Sequence, residues 1–270
     1  MRVAIVFSVL LGLAGCTAPG PRAAWPPERL AAHRVVLLGE VHDNKDGHAG
    51  RLAALTRAVV GGWRPALAME QFDRERQGAL DAARPRCGRD PDCVIRAGLG
   101  DDVAPAASGW DWTLYRPLVA LALDYDLPIV AANLSRADAA RLMREGVAPV
   151  LGDAWAARLA EPPAELVAAQ RREVEAGHCG KLPAAVVARM ADAQIARDAV
   201  MAAIVDAYAA RGVALIAGNG HVRRDVGVPR WLSAKALSVG YVEEAAAPGA
   251  FDVAVAIAPQ PRPDPCAAFR

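Results

Sequence analysis

The chain has 270 residues, with 31 Lys and Arg against 30 Asp and Glu and a formal net charge of +1. That balance lacks the basic surplus needed to bind a phosphate backbone, so nucleic acid is not an expected partner. Hydrophobic residues make up 54% of the sequence, enough for one large domain with insertions, and beyond the first residues no apolar run is long enough to span a bilayer.

The first element is a leader. Met1 and Arg2 supply positive charge, a short apolar stretch follows, and Leu13-Ala14-Gly15-Cys16 closes it with small residues. The stretch is too short for a membrane span and marks residues 1–15 as a cleavable secretory signal. The closing string resembles the bacterial lipobox, which implies that Cys16 becomes the lipidated first residue of the mature chain. Thr17 follows rather than aspartate, and by the sorting rule of Gram-negative lipoproteins this implies an outer-membrane anchor, with the body on the periplasmic side. Residues 16–27, rich in proline and alanine, form an extended tether. Membrane contact is expected through the lipid alone.

Residues 28–258 alternate strand and helix patterns. Strands are expected at 35–38, 66–69, 128–132, 214–217, 236–242 and 252–257, and helices at 48–60, 72–83, 116–124, 136–144 and 184–210. Such alternation predicts an α/β fold, a mostly parallel central sheet with helices on both faces. Ser135 with Asp138 forms a capping box at the start of a helix. Pro117 suits a first helical turn, which would leave Tyr115 at or just ahead of that helix. Two stretches, 84–112 and 148–183, break the alternation and are expected to be insertions forming a lid or partner surface. Residues 259–270 are an irregular tail.

Four cysteines remain besides Cys16. In an oxidising compartment they favour disulfides, with Cys87 and Cys93 close enough to join locally and Cys179 with Cys266 pinning the tail. The two other connectivities remain open at this level. Structural zinc is less favoured, because Cys87 and Cys93 lack the close ligand spacing.

Two strings share one design. Val35-Val36-Leu37-Leu38-Gly39-Glu40-Val41-His42 and Val213-Ala214-Leu215-Ile216-Ala217-Gly218-Asn219-Gly220-His221 each run from strand formers through glycine to a histidine. Ligands of parallel sheets sit beyond the carboxyl ends of the strands, and these ends deliver Glu40 and His42, Glu70, Asn133, and Asn219 and His221. Carboxylates ending apolar runs need partners, and two carboxylates converging with two imidazoles would be such a partnership. That chemistry suits a divalent metal on His42 and His221, or acid and base work on a bound water by Glu40, His42, Glu70 and His221. Arg223, next to Arg224 and Asp225, is placed to bind an acidic group. On the long helix Gln194, Asp198 and Met201 share a face, making Gln194 and Asp198 expected partners of the histidines. The bland alternatives are structural ion pairs and a solvated helix face. No Ser-containing nucleophile elbow is present, so serine hydrolysis has no support.

At these residues the chain resembles the ChaN-like haem-binding lipoproteins of the Tiki superfamily, which is related to erythromycin-esterase-like and Tiki-type metal-dependent hydrolases. The resemblance rests on Leu37-Leu38-Gly39-Glu40-Val41-His42-Asp43, Met69-Glu70, Tyr115-Arg116-Pro117-Leu118, Pro128-Ile129-Val130-Ala131-Ala132-Asn133, the helix from Met190 to Met201, and Gly218-Asn219-Gly220-His221-Val222-Arg223-Arg224-Asp225. It implies a haem-binding lipoprotein of iron uptake, with haem held between two protomers on a tyrosine ligand. Tyr115 is the candidate iron ligand, because it lies in a matching string, whereas Tyr125 and Tyr208, late in helices, read as packing residues. The alternative that the superfamily implies is a metal-dependent hydrolase working through the Glu/His pocket; a third is a scaffold that has lost both activities.

Overall fold

The computed structural model describes residues 28–100, 102–264 and 266–267. The expected signal peptide, Cys16 and the tether to residue 27 lie outside the described residues. The elements in order are α1 (Glu28–Ala31), β1 (Val35–Glu40), α2 (Lys45–Val60), β2 (Ala66–Asp73), α3 (Gln77–Cys87), α4 (Pro91–Leu99), α5 (Trp112–Asp124), β3 (Ile129–Asn133), α6 (Arg136–Glu145), α7 (Ala148–Leu151), α8 (Asp153–Arg158), α9 (Ala164–Gly177), α10 (Ala184–Tyr208), β4 (Val213–Gly218), α11 (Asn219–Val222), β5 (Ala236–Val242) and β6 (Val253–Ala256).

The sheet has six strands in the order β3-β2-β4-β1-β5-β6, and all its pairs are parallel. β1 and β4 are neighbours, with Glu40 beside Gly218, so the two glycine-histidine strings end side by side. The four inner strands are buried along almost all their length because helices cover both faces. Val36, Leu38, Met69 and Ile216 pack with Leu55, Tyr115 and Leu118 on one side. Val35, Leu37, Ala68 and Leu215 pack with Met201 and Val205 on the other. Among the described residues no helix is long and apolar enough to cross a membrane.

Several boundaries differ from those expected. Strand β2 continues to Asp73, carrying Phe72 into the core instead of starting a helix there. Its register against β3 shifts between Met69 and Asp73, an irregularity of the kind that redirects side chains beside functional sites. Helix α5 starts at Trp112, five residues before Pro117, because Asp111 caps it by accepting from the Thr113 amide at 3.1 Å. The expected insertion at 84–112 holds the end of α3 and all of α4, which Asp90 caps with Pro91 in its first turn. The Ser135 cap forms as expected, accepting from the Asp138 amide at 3.1 Å.

The outer edge of β3 is closed by one side chain. The Gln77 amide accepts from the Ala131 N–H at 2.7 Å and donates to the Ile129 carbonyl at 3.1 Å, standing in for a missing strand. Disulfides join Cys87 to Cys93 and Cys179 to Cys266. The second ties the tail to the turn between α9 and α10, and Arg262 fastens the tail further by gripping Asp43 and Glu243, each at 2.6 Å.

Candidate functional site

Glu40, His42, Glu70 and His221 gather at the carboxyl rim of the sheet. Glu40 ends β1 and is 2% exposed. His42 Nδ1 donates to its Oε1 at 2.8 Å, Tyr115 donates its hydroxyl to the same oxygen, and Gln71 Nε2 approaches it at 3.3 Å. Arg51, also fully buried, pairs with Oε2. Burial raises the Glu40 pKa, but the Arg51 charge and the His42 and Tyr115 hydrogen bonds outweigh it, leaving the carboxyl below its usual range. A carboxylate with this many donors is a fixed anchor rather than a free base.

The anchor orients His42, whose side chain keeps 49% exposure while Glu40 has 1%. Burial lowers the His42 pKa, yet the Glu40 hydrogen bond and the Glu70 charge raise it overall. Trp110 packs edge-on against the ring, with centroids 5.0 Å apart.

The second cluster has His221 at its centre. Nδ1 donates to Asp198 Oδ1 at 2.6 Å, and Nε2 lies 3.4 Å from Glu70 Oε1. The other Glu70 oxygen accepts from the Gly218 amide at 2.8 Å. Burial alone would lower the His221 pKa, but the two carboxylates push it up to about 10. Burial likewise works against Glu70 ionisation, and the His221 charge and hydrogen bond bring its pKa to about 2. Asp198 is raised by burial despite its neighbour, so Glu70 is the firmer counter-ion. Both ring nitrogens face carboxylates, which favour the protonated ring in this arrangement. Among the described residues no group of three His, Cys, Asp or Glu is placed to hold a metal ion.

Two glycines make the close approach possible. A Cβ on Gly39 would meet Asn219 Oδ1 at 2.3 Å and Val222 Cγ2 at 2.5 Å, and one on Gly218 would meet the His42 ring at 2.9 Å. The glycine in each string thus lets the neighbouring string's end pack against it.

Other expected residues fall elsewhere. Asn133 closes β3, lines the cavity in front of Glu70, and donates to Asp73 at 2.9 Å. Asn219 faces away, clasping the Tyr241 carbonyl at 2.6 Å, because α11 turns its side chain toward β5. Arg223 is engaged in surface ion pairs with Glu173 at 2.8 Å and Asp225 at 2.6 Å. Asp198 partners His221 as its helical spacing implied. Gln194 does not; it accepts from Arg197 at 3.5 Å and lines a small cavity beside His221. Tyr115 is fully buried, and burial together with the Glu40 charge holds its pKa far above the usual phenol range. Its hydroxyl faces inward to Glu40 and has no exposed surface, so in this arrangement the oxygen is not presented to a haem.

Three supporting side chains have little or no signature in the sequence. Arg51 and His48 lie on α2, where His48 Nε2 donates to the His42 carbonyl at 2.9 Å and Nδ1 accepts from Arg51 at 2.8 Å. Gln170 on α9 donates to Asp198 at 3.1 Å. The i,i+3 pair on the helix directly after the first strand was the available signal for Arg51 and His48; Gln170 carried none.

Residues 27–232 match the family described as haem-binding uptake, Tiki superfamily, ChaN. The chain belongs to that family. Among solved structures it is similar to ChaN of Campylobacter jejuni, with a TM-score of 0.69 and 19% identity over 84% of this chain and 89% of that one. That structure describes cofacial haem binding; at this identity the likeness shows the shared α/β fold. No curated protein matches the chain.

Proposed function

We propose that the chain is a haem-binding lipoprotein of iron uptake, anchored to the outer membrane through a lipid on Cys16. The observation that carries this reading is the family match over residues 27–232. The lipobox string supports the anchor, and the geometry supports a place for haem other than Tyr115.

That place is a shallow groove of about 550 Å³ beyond the β3 edge, lined by Val130, Ala131, Trp155, Val200, Ile204 and Tyr208. Its apolar walls suit a porphyrin face. Tyr208 is partly exposed, and among the described residues its hydroxyl has no hydrogen-bond partner, which leaves the oxygen available to ferric iron. We assign Tyr208 as the iron ligand in place of Tyr115. The groove is open on one side, so a second copy of the chain is the natural cover for the outer haem face.

Haemin titration of the apo-protein, followed by absorption and sedimentation, tests this. A shifted Soret band that saturates, with dimer appearing as haem is added, is expected. A spectrum that stays that of free haemin would defeat the reading.

A further inference from the structure

The net charge of +1 conceals a division between the two rims of the sheet. The carboxyl rim carries Glu40, Asp43, Glu70, Asp73 and Glu243. At the amino rim each of the four inner strands is entered from a cation: Arg64 ahead of β2, Arg211 ahead of β4, Arg34 ahead of β1 and Lys235 ahead of β5. The backbone sets these positions side by side. The Ala66 amide donates to the Gly212 carbonyl and the Val213 amide to the Arg34 carbonyl, each at 2.8 Å, and Val35 is in register with Ala236. At about 4.8 Å per strand the row is about 14 Å long. All of its side chains are exposed.

No carboxylate answers the row. Arg34, Arg211 and Lys235 make no side-chain hydrogen bond or ion pair among the described residues. Arg64 donates only to the Val59 and Trp63 carbonyls and lies over the Tyr125 ring. The acids nearest this rim are engaged elsewhere: Asp206 accepts from the Ser233 amide, Asp124 faces Arg89 and Asp126 faces Arg84. Helices α2 and α10 end at the same rim, and their carbonyl ends favour cations there. That accounts for the sign of the charge, while the row itself stays open to solvent.

The rim also holds an apolar exception. Val60, at the end of α2, is 64% exposed, and no other large apolar side chain among the described residues is so open. The glycines after it lead to Trp63, which is partly buried with its indole beside Gly212. An apolar tip, an indole and a line of cations suit the headgroup layer of a bilayer, where apolar groups enter the interface and the cations meet phosphate. Helix α1 lies just ahead of β1 at this rim, so the chain that leads back to Cys16 leaves from here.

We propose that the amino rim of the sheet is a docking face for a bilayer that carries anionic phospholipid. Arg64, Arg211, Arg34 and Lys235 meet the lipid phosphates, and Val60 and Trp63 rest at the headgroup boundary. The folded body then touches the membrane as well as the lipid does, and the carboxyl rim with His42 faces away from it. An acidic protein would match the cations, but not their position where the chain leaves for its anchor. Only this argument from chain entry rests on the lipid at Cys16; the charge row and Val60 stand without it.

Co-sedimentation with vesicles tests the face. The chain used is the full sequence with Cys16→Ser, which cannot be acylated, so no arm contains the lipid and the leader is common to all. Lipidation is read separately, from the mass of the natural chain, so the two readings fail independently. Binding should be tighter to vesicles of phosphatidylglycerol with phosphatidylcholine than to phosphatidylcholine alone, and the preference should fall as salt is added. Arg34→Gln/Arg211→Gln/Lys235→Gln should weaken binding to the anionic vesicles at least about tenfold, since each cation at such a surface contributes about fivefold. Its Tm should stay that of the parent, because the side chains are exposed and unbonded. Arg172→Gln/Lys181→Gln/Arg189→Gln, the same charge change on α9, α10 and the turn between them, should leave binding unchanged. Val60→Asp should weaken it at least about fivefold. No preference for the anionic vesicles, equal loss in the two triple variants, or undiminished binding in the rim variant would each overturn the proposal.

Discussion

His221 is the residue whose charge most constrains the rim. Replacing it with glutamine leaves two buried carboxylates without their cation, a loss of about 3 kcal/mol or more for a buried pair. Its pKa of about 10 lies above the ordinary 6.5, so the stability that it contributes is full below pH 6.5 and is lost as pH rises through 10. Glu70, at about 2 against an ordinary 4.5, contributes fully above pH 4.5 and loses its share as pH falls through 2. The Tm deficit of His221→Gln should therefore be greatest between pH 4.5 and 6.5 and shrink toward pH 10. A deficit that stays constant over that alkaline range would mean that the ring is neutral in the fold. The convergence of Glu40, His42, Glu70 and His221 was legible in the sequence because each follows an apolar run of strand formers. The direction of Asn219 and the pairing of Arg223 were not, because both depend on which neighbour a short helix and a surface turn happen to meet.

At the scale of elements, the join between β1 and α11 depends on the absence of a side chain at Gly39. Gly39→Ala forces Val222 and Asn219 away from the strand, an overpacking that costs about 1–3 kcal/mol; chemical denaturation should show it, and an unchanged midpoint would mean that α11 is free to shift. Alternation of strand and helix made the parallel sheet legible; that β1 and β4 are neighbours came only with the structure. The end of β2 was not legible, since Glu-Gln-Phe-Asp has helix-compatible composition and becomes strand only because Glu70 and Gln71 find buried partners on other elements. Pro117 misplaced the start of α5 for a related reason: Asp111 is a strong cap, and tertiary burial of Trp112 and Tyr115 outweighs the cost of a proline within the helix.

Across the whole molecule, the two disulfides differ in the length of chain that they close. Cys87 and Cys93 are 6 residues apart and Cys179 and Cys266 are 87 apart, which in a chain-entropy account is worth about 2 and about 4–5 kcal/mol. Serine replacement of the Cys179–Cys266 pair should therefore lower Tm more than replacement of the Cys87–Cys93 pair, and the reverse order would show that native strain decides. The proposed haem site at Tyr208 is put to the test by haemin titration of two phenol deletions. Tyr208→Phe should abolish the shifted Soret band, while Tyr115→Phe, which removes only a hydroxyl donor to Glu40, should retain it. Loss of the band in Tyr115→Phe with a normal spectrum in Tyr208→Phe would contradict the account.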